Sequence, residues 1–153
     1  MSIWPRALLL LATVALAGCT SHRDEVEHSV RAFAQTVAHD VTHDGPSAWR
    51  RHFADIPSFF MAVNGQLVFP NSAAVTAGLP DIARALPHIE LKWGDSLRID
   101  PLTPDLAVVA APYHEVLIDS RGQRADSDGF FTGVAERRNG RWQFRNAHWS
   151  EPK

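Results

Sequence analysis

The chain has 153 residues, 45% of them hydrophobic, with 15 Lys and Arg against 17 Asp and Glu and a formal net charge of −2. That length suits one domain able to bury a core without cross-links, and the single cysteine, Cys19, excludes an intrachain disulfide. Mild acidity without a basic cluster argues against nucleic acid as a partner.

The chain opens with Met1 to Arg6, an apolar run from Ala7 to Ala17, and then Gly18-Cys19. A short positive region, about ten apolar residues and a small-residue stop describe an export signal, too short to span a bilayer permanently. Leu16-Ala17-Gly18-Cys19 resembles the bacterial lipoprotein box. The resemblance implies cleavage before Cys19, lipidation of its thiol and anchorage of the protein to a lipid bilayer in the cell envelope. Residues 1–18 are then the signal, 19–23 the lipidated cysteine and a short tether, and 24–153 one domain. By the same resemblance, Thr20 in place of aspartate points to the outer membrane, facing the periplasm, if the host has two membranes. An ordinary signal peptide that happens to contain cysteine is the alternative.

Ser21 followed by Asp24 has the form of a capping arrangement that starts a helix. Val26, Val30, Phe33, Val37 and Val41 form one apolar stripe, and the helix should stop at Asp44-Gly45-Pro46. Asp40 falls on the border of that stripe. His39 and His43 fall behind it, so His39-Asp40-Val41-Thr42-His43 reads as solvated histidines rather than as a zinc motif of the H-E-x-x-H kind. Pro46 opens a short second helix with Trp49 and Phe53 on one edge. Phe59 to Val63 and Gln66 to Phe69 are strand candidates around an Asn64-Gly65 turn. Asn71 or Ser72 caps a third helix running to about Leu86, interrupted at Pro80. From Ile89 the chain is extended, with Ile89, Leu91 and Trp93 alternating; Pro101 to Asp105 reads as a turn, and Leu106 to Asp119 as the longest strand.

The strongest local signal is the last quarter, where two alternating runs meet at Asn139-Gly140, a two-residue hairpin turn. With that turn as centre, Trp142 opposes Arg137, Phe144 opposes Ala135, Asn146 opposes Gly133 and His148 opposes Phe131, all on one face. Three helices followed by a mostly antiparallel sheet make an α+β fold. Gly129, Thr132 and Val134, then Arg138-Asn139-Gly140-Arg141-Trp142, then His148-Trp149-Ser150, resemble the ending of the SnoaL-like group of the nuclear transport factor 2-like superfamily. The specific match covers about the last twenty-five residues. It implies a cone: a strongly bent sheet wrapped over the helices, with an interior.

A tight turn at Arg121-Gly122 would put His114 opposite Gly129, on the face of His148; a one-residue slip would turn Tyr113 and Glu115 inward instead. The expected pocket walls are Trp142, Phe144, Phe131, Phe33, Trp49, Phe53, Phe59 and Trp93, with His148, Asn146, His114 and Asp40 as the polar groups. Such a cavity suits a small apolar ligand. An Asp40–His148 pair could serve as a general base, since histidine titrates near neutrality; the alternative is that His148 only pins the last strand and that the aromatics are core. The tyrosine and aspartates of the superfamily's ketosteroid isomerases do not carry over, because Tyr113, the one tyrosine, lies on a strand. No nucleophile elbow, phosphate loop or cysteine-rich metal site is present, so no cofactor or metal is implied. Two classes of function follow: a lipid-anchored domain binding a small apolar ligand or a protein without catalysis, and a cofactor-free lyase, isomerase or hydrolase using His148. Phe130 and Trp149, expected as a pair on the outer face, together with the superfamily's habit of pairing sheets, imply a homodimer.

Overall fold

The computed structural model describes the backbone of residues 7–152 and the side chains of residues 22–152, so the cleavage and lipidation expected at Cys19 lie outside the described side chains. Helix α1 spans Ala7–Asp44. The helix start expected at Ser21–Asp24 is therefore not a terminus; the Ala- and Leu-rich residues before it are strong helix formers and carry the helix through. Val26, Val30, Phe33, Val37 and Val41 are all buried, as their spacing requires. Each such burial contributes about 1.5–3 kcal/mol relative to exposure. Among the described residues no helix is long and apolar enough to cross a membrane.

Gly45, at φ +73°, ends α1; a Cβ added there would lie 3.2 Å from the Pro87 carbonyl oxygen. A 3-10 turn (Pro46–Ala48) leads into the one-turn α2 (Trp49–His52). Strands β1 (Phe60–Val63) and β2 (Gln66–Phe69) form the expected hairpin, with Asn64 and Gly65 both at positive φ. Helix α3 (Ser72–Ala85) is capped by Asn71, whose Oδ1 accepts from Ala74 N at 2.8 Å. It contains Pro80 and packs on β2 at Gly78, where an added Cβ would lie 2.8 Å from the Phe69 ring.

The remaining strands are β3 (His88–Trp93), β4 (Arg98–Thr103), β5 (Leu106–Ile118), β6 (Arg124–Arg138) and β7 (Arg141–Ser150). Their order is β2-β1-β7-β6-β5-β3, with β4 sharing the outer edge of β5. All pairs are antiparallel except β1 with β7. The sheet is strongly bent, with the helices packed against it. Two expectations need correction here. Pro101 lies in β4 rather than in a turn, which an edge strand tolerates because it leaves one side of its backbone unpaired. At 15 residues β6, not the 13-residue β5, is the longest strand.

Both expected registers shift by one residue. Near its turn the β6–β7 hairpin pairs as the sequence suggests, Arg137 with Trp142 and Ala135 with Phe144. A bulge then intervenes, so that Val134 faces Asn146, Thr132 faces His148 and Phe131 faces Trp149. Beyond the bulge every side chain of β7 changes face. Trp149 and Ala147 turn inward and are buried, whereas His148 is exposed. Phe130 stays on the outer face, 44% exposed, without Trp149 beside it. Between β5 and β6 the loop is wider than a two-residue turn: Asp119 Oδ1 accepts from Arg121 N and Gln123 N, both at 2.8 Å. Tyr113 consequently pairs with Gly129 and His114 with Asp128.

Gly129 makes that pairing possible. A Cβ there would sit 2.3 Å from the Ser150 carbonyl oxygen and 2.5 Å from Tyr113 Oη. Gly129→Ala should lower stability by about 1–3 kcal/mol, as overpacking does. Urea unfolding followed by tryptophan fluorescence would measure it, and an unchanged midpoint would contradict the packing described.

Candidate functional site

The four polar side chains expected to converge are dispersed. His148 lies on the outer face, opposite Thr132 of β6 and Ala62 of β1. His114 also faces outward, where its Nδ1 is 2.8 Å from Asp128 Oδ1 and its Nε2 3.6 Å from Asp126. Asn146 braces the bulge, its Oδ1 accepting from Val134 N at 3.0 Å. The expected Asp40–His148 pair does not form, because the bulge has turned His148 away.

Asp40 meets a different histidine. His52 Nε2 donates to Asp40 Oδ2 at 3.0 Å, Arg51 Nη2 lies 3.1 Å from the same oxygen, and His39 Nδ1 is 3.2 Å from Oδ1. Burial raises the Asp40 carboxyl, but hydrogen bonds from His39 and Arg51 and the charges of His52 and Arg51 outweigh it and hold the carboxyl below its ordinary value. Burial pushes the His52 imidazole down, against the pull of Asp40. His52 is 6% exposed, and its ring centroid is 6.0 Å from that of Phe33. An oriented imidazole is thus present, but it is packed under α1 and ties α2 to that helix. The sequence carried a signal for it: Trp49, His52 and Phe53 fall on one helical edge, at i, i+3 and i+4.

Most of the expected pocket walls are core. Phe53, Phe59, Phe131 and Phe144 are fully buried, and Trp49 nearly so. They touch one another: Trp49 stacks on Phe53 at 5.0 Å, Phe53 meets Phe59 at 4.9 Å, and Phe131 meets Phe144 at 5.0 Å. Trp142 is half-buried, donating from Nε1 to Ser29 Oγ at 3.0 Å, with Arg137 over its ring. The aromatic side chains that were to line the interior occupy it.

The polar chemistry collects at one end of the inner face. There Tyr113 and Glu115 of β5 lie opposite Gly129 and Ser127 of β6, and Trp93 and Leu91 of β3 lie on their other side. This is the second register left open by the sequence. Trp149 closes the floor, edge-on to Tyr113 at 4.8 Å and stacked with Trp93 at 5.8 Å. Glu151 crosses next to them. Its carboxylate accepts from Ser127 Oγ and, at 3.0 Å, from Asn64 Nδ2, while its amide donates to Asn64 Oδ1 at 2.8 Å. Burial, reinforced by the charge of Glu151, pushes the Glu115 carboxyl up to about 7. Burial and Glu115 together push the Tyr113 hydroxyl up to about 12, against a lowering by Ser127. A cavity of about 450 Å³ adjoins the cluster, lined by Asp128, Gly129, Phe130, Ser150, Glu151 and Pro152. A carboxyl that is half protonated at neutral pH can give, accept or share a proton. Ser127 and Glu151 had no signal in the sequence, since their positions depend on both shifted registers.

The cluster lies by the C-terminal end of α1, where Thr42 Oγ1 accepts from Leu91 N at 3.0 Å. Arg23, at the other end of the described helix side chains, holds Asp100 and the Pro101 carbonyl of β4. The intervening turns put the two ends about 30 Å apart. Among the described residues no group of three or more His, Cys, Asp or Glu is arranged to hold a metal ion.

No known protein family model matches the sequence, and no curated protein does either. The fold does match solved structures. A nuclear transport factor 2-like superfamily protein from Salmonella enterica serovar Typhimurium is similar with a TM-score of 0.66 at 14% identity, over 88% of this chain and 94% of that one. A putative scytalone dehydratase from Novosphingobium aromaticivorans gives 0.69 at 10% identity, over 82% and 83%. A hexachlorocyclohexane dehydrochlorinase gives 0.65 at 13% identity, over 85% and 90%. The architecture is therefore the nuclear transport factor 2-like cone, a fold on which catalytic proteins occur; at these identities the likeness concerns the fold alone.

Glu115 gives the site a pH signature. Its pKa is raised from 4.5 to about 7 on folding, so its contribution to stability is fully present below about pH 4.5 and is lost as pH rises through 7. His52, held below 6.5, works in the other direction, contributing above that value and losing its contribution as pH falls. Wild-type protein should lose up to about 3 kcal/mol between pH 5 and pH 8 through Glu115, and Glu115→Gln should remove that loss. Urea midpoints of both proteins at the two pH values would measure it; parallel pH dependences would place Glu115 in water.

Proposed function

We propose that this protein is a lipid-anchored binding domain that takes a small, largely apolar ligand at the Glu115 end of its cone, not in the centre. The observation that carries the reading is the inward Glu115 carboxyl with Tyr113, Ser127, Trp93 and Trp149 around it. A protonated carboxyl in a half-dry setting donates a strong hydrogen bond to a carbonyl or ether oxygen, and Phe130 and Pro152 give the adjoining cavity apolar surface for the rest of the ligand. The packed aromatic interior favours this end over a central chamber. Anchorage through Cys19 rests on the lipoprotein-like Leu16-Ala17-Gly18-Cys19. It agrees with a site at the far end of α1, which would face away from the bilayer.

A second reading has its own support. A carboxyl near pKa 7 beside a hydroxyl is suited to moving a proton at neutral pH. One structural neighbour is a dehydrochlorinase, so the fold admits elimination chemistry. In this reading a cofactor-free lyase or isomerase uses Glu115 as its acid–base group, in place of the outward-facing His148.

Native mass spectrometry of protein purified from its own host should show a retained small molecule that Glu115→Gln weakens by about tenfold, the value of one lost charge-matched or strong hydrogen bond. If the glutamine variant instead binds as tightly but the bound molecule accumulates unconverted, the proton-transfer reading is favoured. Retention unaffected by the substitution in both binding and fate would remove the site. For the anchor, Cys19→Ala should move the protein out of the membrane fraction, and a cysteine-free variant that stays with membranes after a carbonate wash would refute lipidation.

A further inference from the structure

A second cavity, far smaller, lies between α2 and α3, apart from the Glu115 cluster. It measures about 170 Å³ and is lined by Ser47, Arg50, Thr76, Leu79 and Pro80. That is room for about five waters, or for an organic acid of roughly six heavy atoms. Its one charged wall is the Arg50 guanidinium. Arg50 Nη1 donates to the Phe53 carbonyl at 3.4 Å, and Nη2 lies 3.0 Å from Asp55 Oδ1. A guanidinium carries five N–H donors in a planar fork, so these contacts leave donors to spare. Asp55 is 75% exposed on its side chain, and an ion pair of that kind is weak and readily exchanged.

The opposite wall is unusual in its backbone. Pro80 sits inside α3, and proline has no amide hydrogen to offer the carbonyl four residues earlier. The Thr76 carbonyl therefore lacks its ordinary helical partner at the wall where Thr76 and Pro80 both face the cavity. The Thr76 hydroxyl is already committed, donating to the Ser72 carbonyl at 3.2 Å. The cavity thus offers a cationic fork on one side, an acceptor on the other, and Leu79 with the proline ring as an apolar floor.

We infer that this cavity binds a small carboxylate bearing a hydrogen-bond donor on the adjacent carbon, a short 2-hydroxy or 2-amino acid. The carboxylate takes the free edge of Arg50, displacing or sharing the exposed Asp55. The 2-substituent donates to the Thr76 carbonyl, and the short side chain covers Leu79 and Pro80. This site is independent of the Glu115 cluster and stands or falls separately from it.

The test is saturation-transfer NMR on the full chain with L-lactate, propionate and lactamide as probes. L-lactate should bind saturably in the millimolar range, with lactamide at least about tenfold weaker, because it lacks the charge that the guanidinium recognises. Arg50→Gln should abolish lactate binding. Asp55→Asn, at an exposed position, should tighten it about threefold or more by removing the competing carboxylate. Pro80→Ala, which restores an amide to the helix, should erase the preference for lactate over propionate. Equal binding of lactate and lactamide, lactate binding that survives Arg50→Gln, or no tightening in Asp55→Asn would each overturn the inference. The last outcome remains decisive even if the arginine variant fails to fold.

Discussion

The bulge in the terminal hairpin decides what this molecule presents on each side of its sheet. Where β7 carries one extra residue, the Val134 amide loses its ladder partner, and Asn146 Oδ1 takes it instead. An unsatisfied amide at a half-buried position costs on the order of 1–3 kcal/mol, so the side chain is what makes the irregularity tolerable. Everything downstream follows from that one exchange. Trp149 swings inward to complete the aromatic floor with Trp93, Tyr113 and Phe131, and His148 is delivered to the outer surface.

The elements themselves were legible in the residues. The valine stripe of α1, both Asn-Gly turns and the Asn71 cap rest on local rules, in which a residue's own stereochemistry or its neighbours three or four positions away set the outcome. The two registers were not legible, because each depends on a count along two strands that one extra residue upsets. In β6–β7 the extra residue is Arg145, next to an asparagine whose bracing role looks like any polar residue on a strand. In β5–β6 it is the wider loop organised by Asp119. Asn146 and His114 were thus identified as residues facing the interior, and His52, on a buried helical edge, was passed over. The β4 strand was hidden by Pro101, which argues against a central strand but says nothing against an edge.

Filling the cone with aromatics has an electrostatic effect at its rim. Burial between Leu91 of β3 and Ser127 of β6 strips water from Glu115, while Glu151 adds like charge. A carboxyl so placed is half protonated near neutral pH, whereas Asp40, on α1 and surrounded by His39, Arg51 and His52, stays ionised. Two acids on one small domain are therefore shifted in opposite directions by their surroundings. The shared cone of the structural neighbours cannot supply that distinction, since it resides in side chains that the fold does not dictate.

The parallel pairing of β1 with β7 carries a consequence for how the chain is made. The β1–β2 hairpin is made well before β7, its other sheet partner among the described residues. Until that strand arrives, Met61 and Val63 have no neighbour on one side, and a two-stranded ribbon alone is marginal in water. Closure of the sheet is thus a long-range event of high sequence separation, slow by its topology. Nascent chains should remain open, and dependent on whatever shelters them, until β7 has emerged.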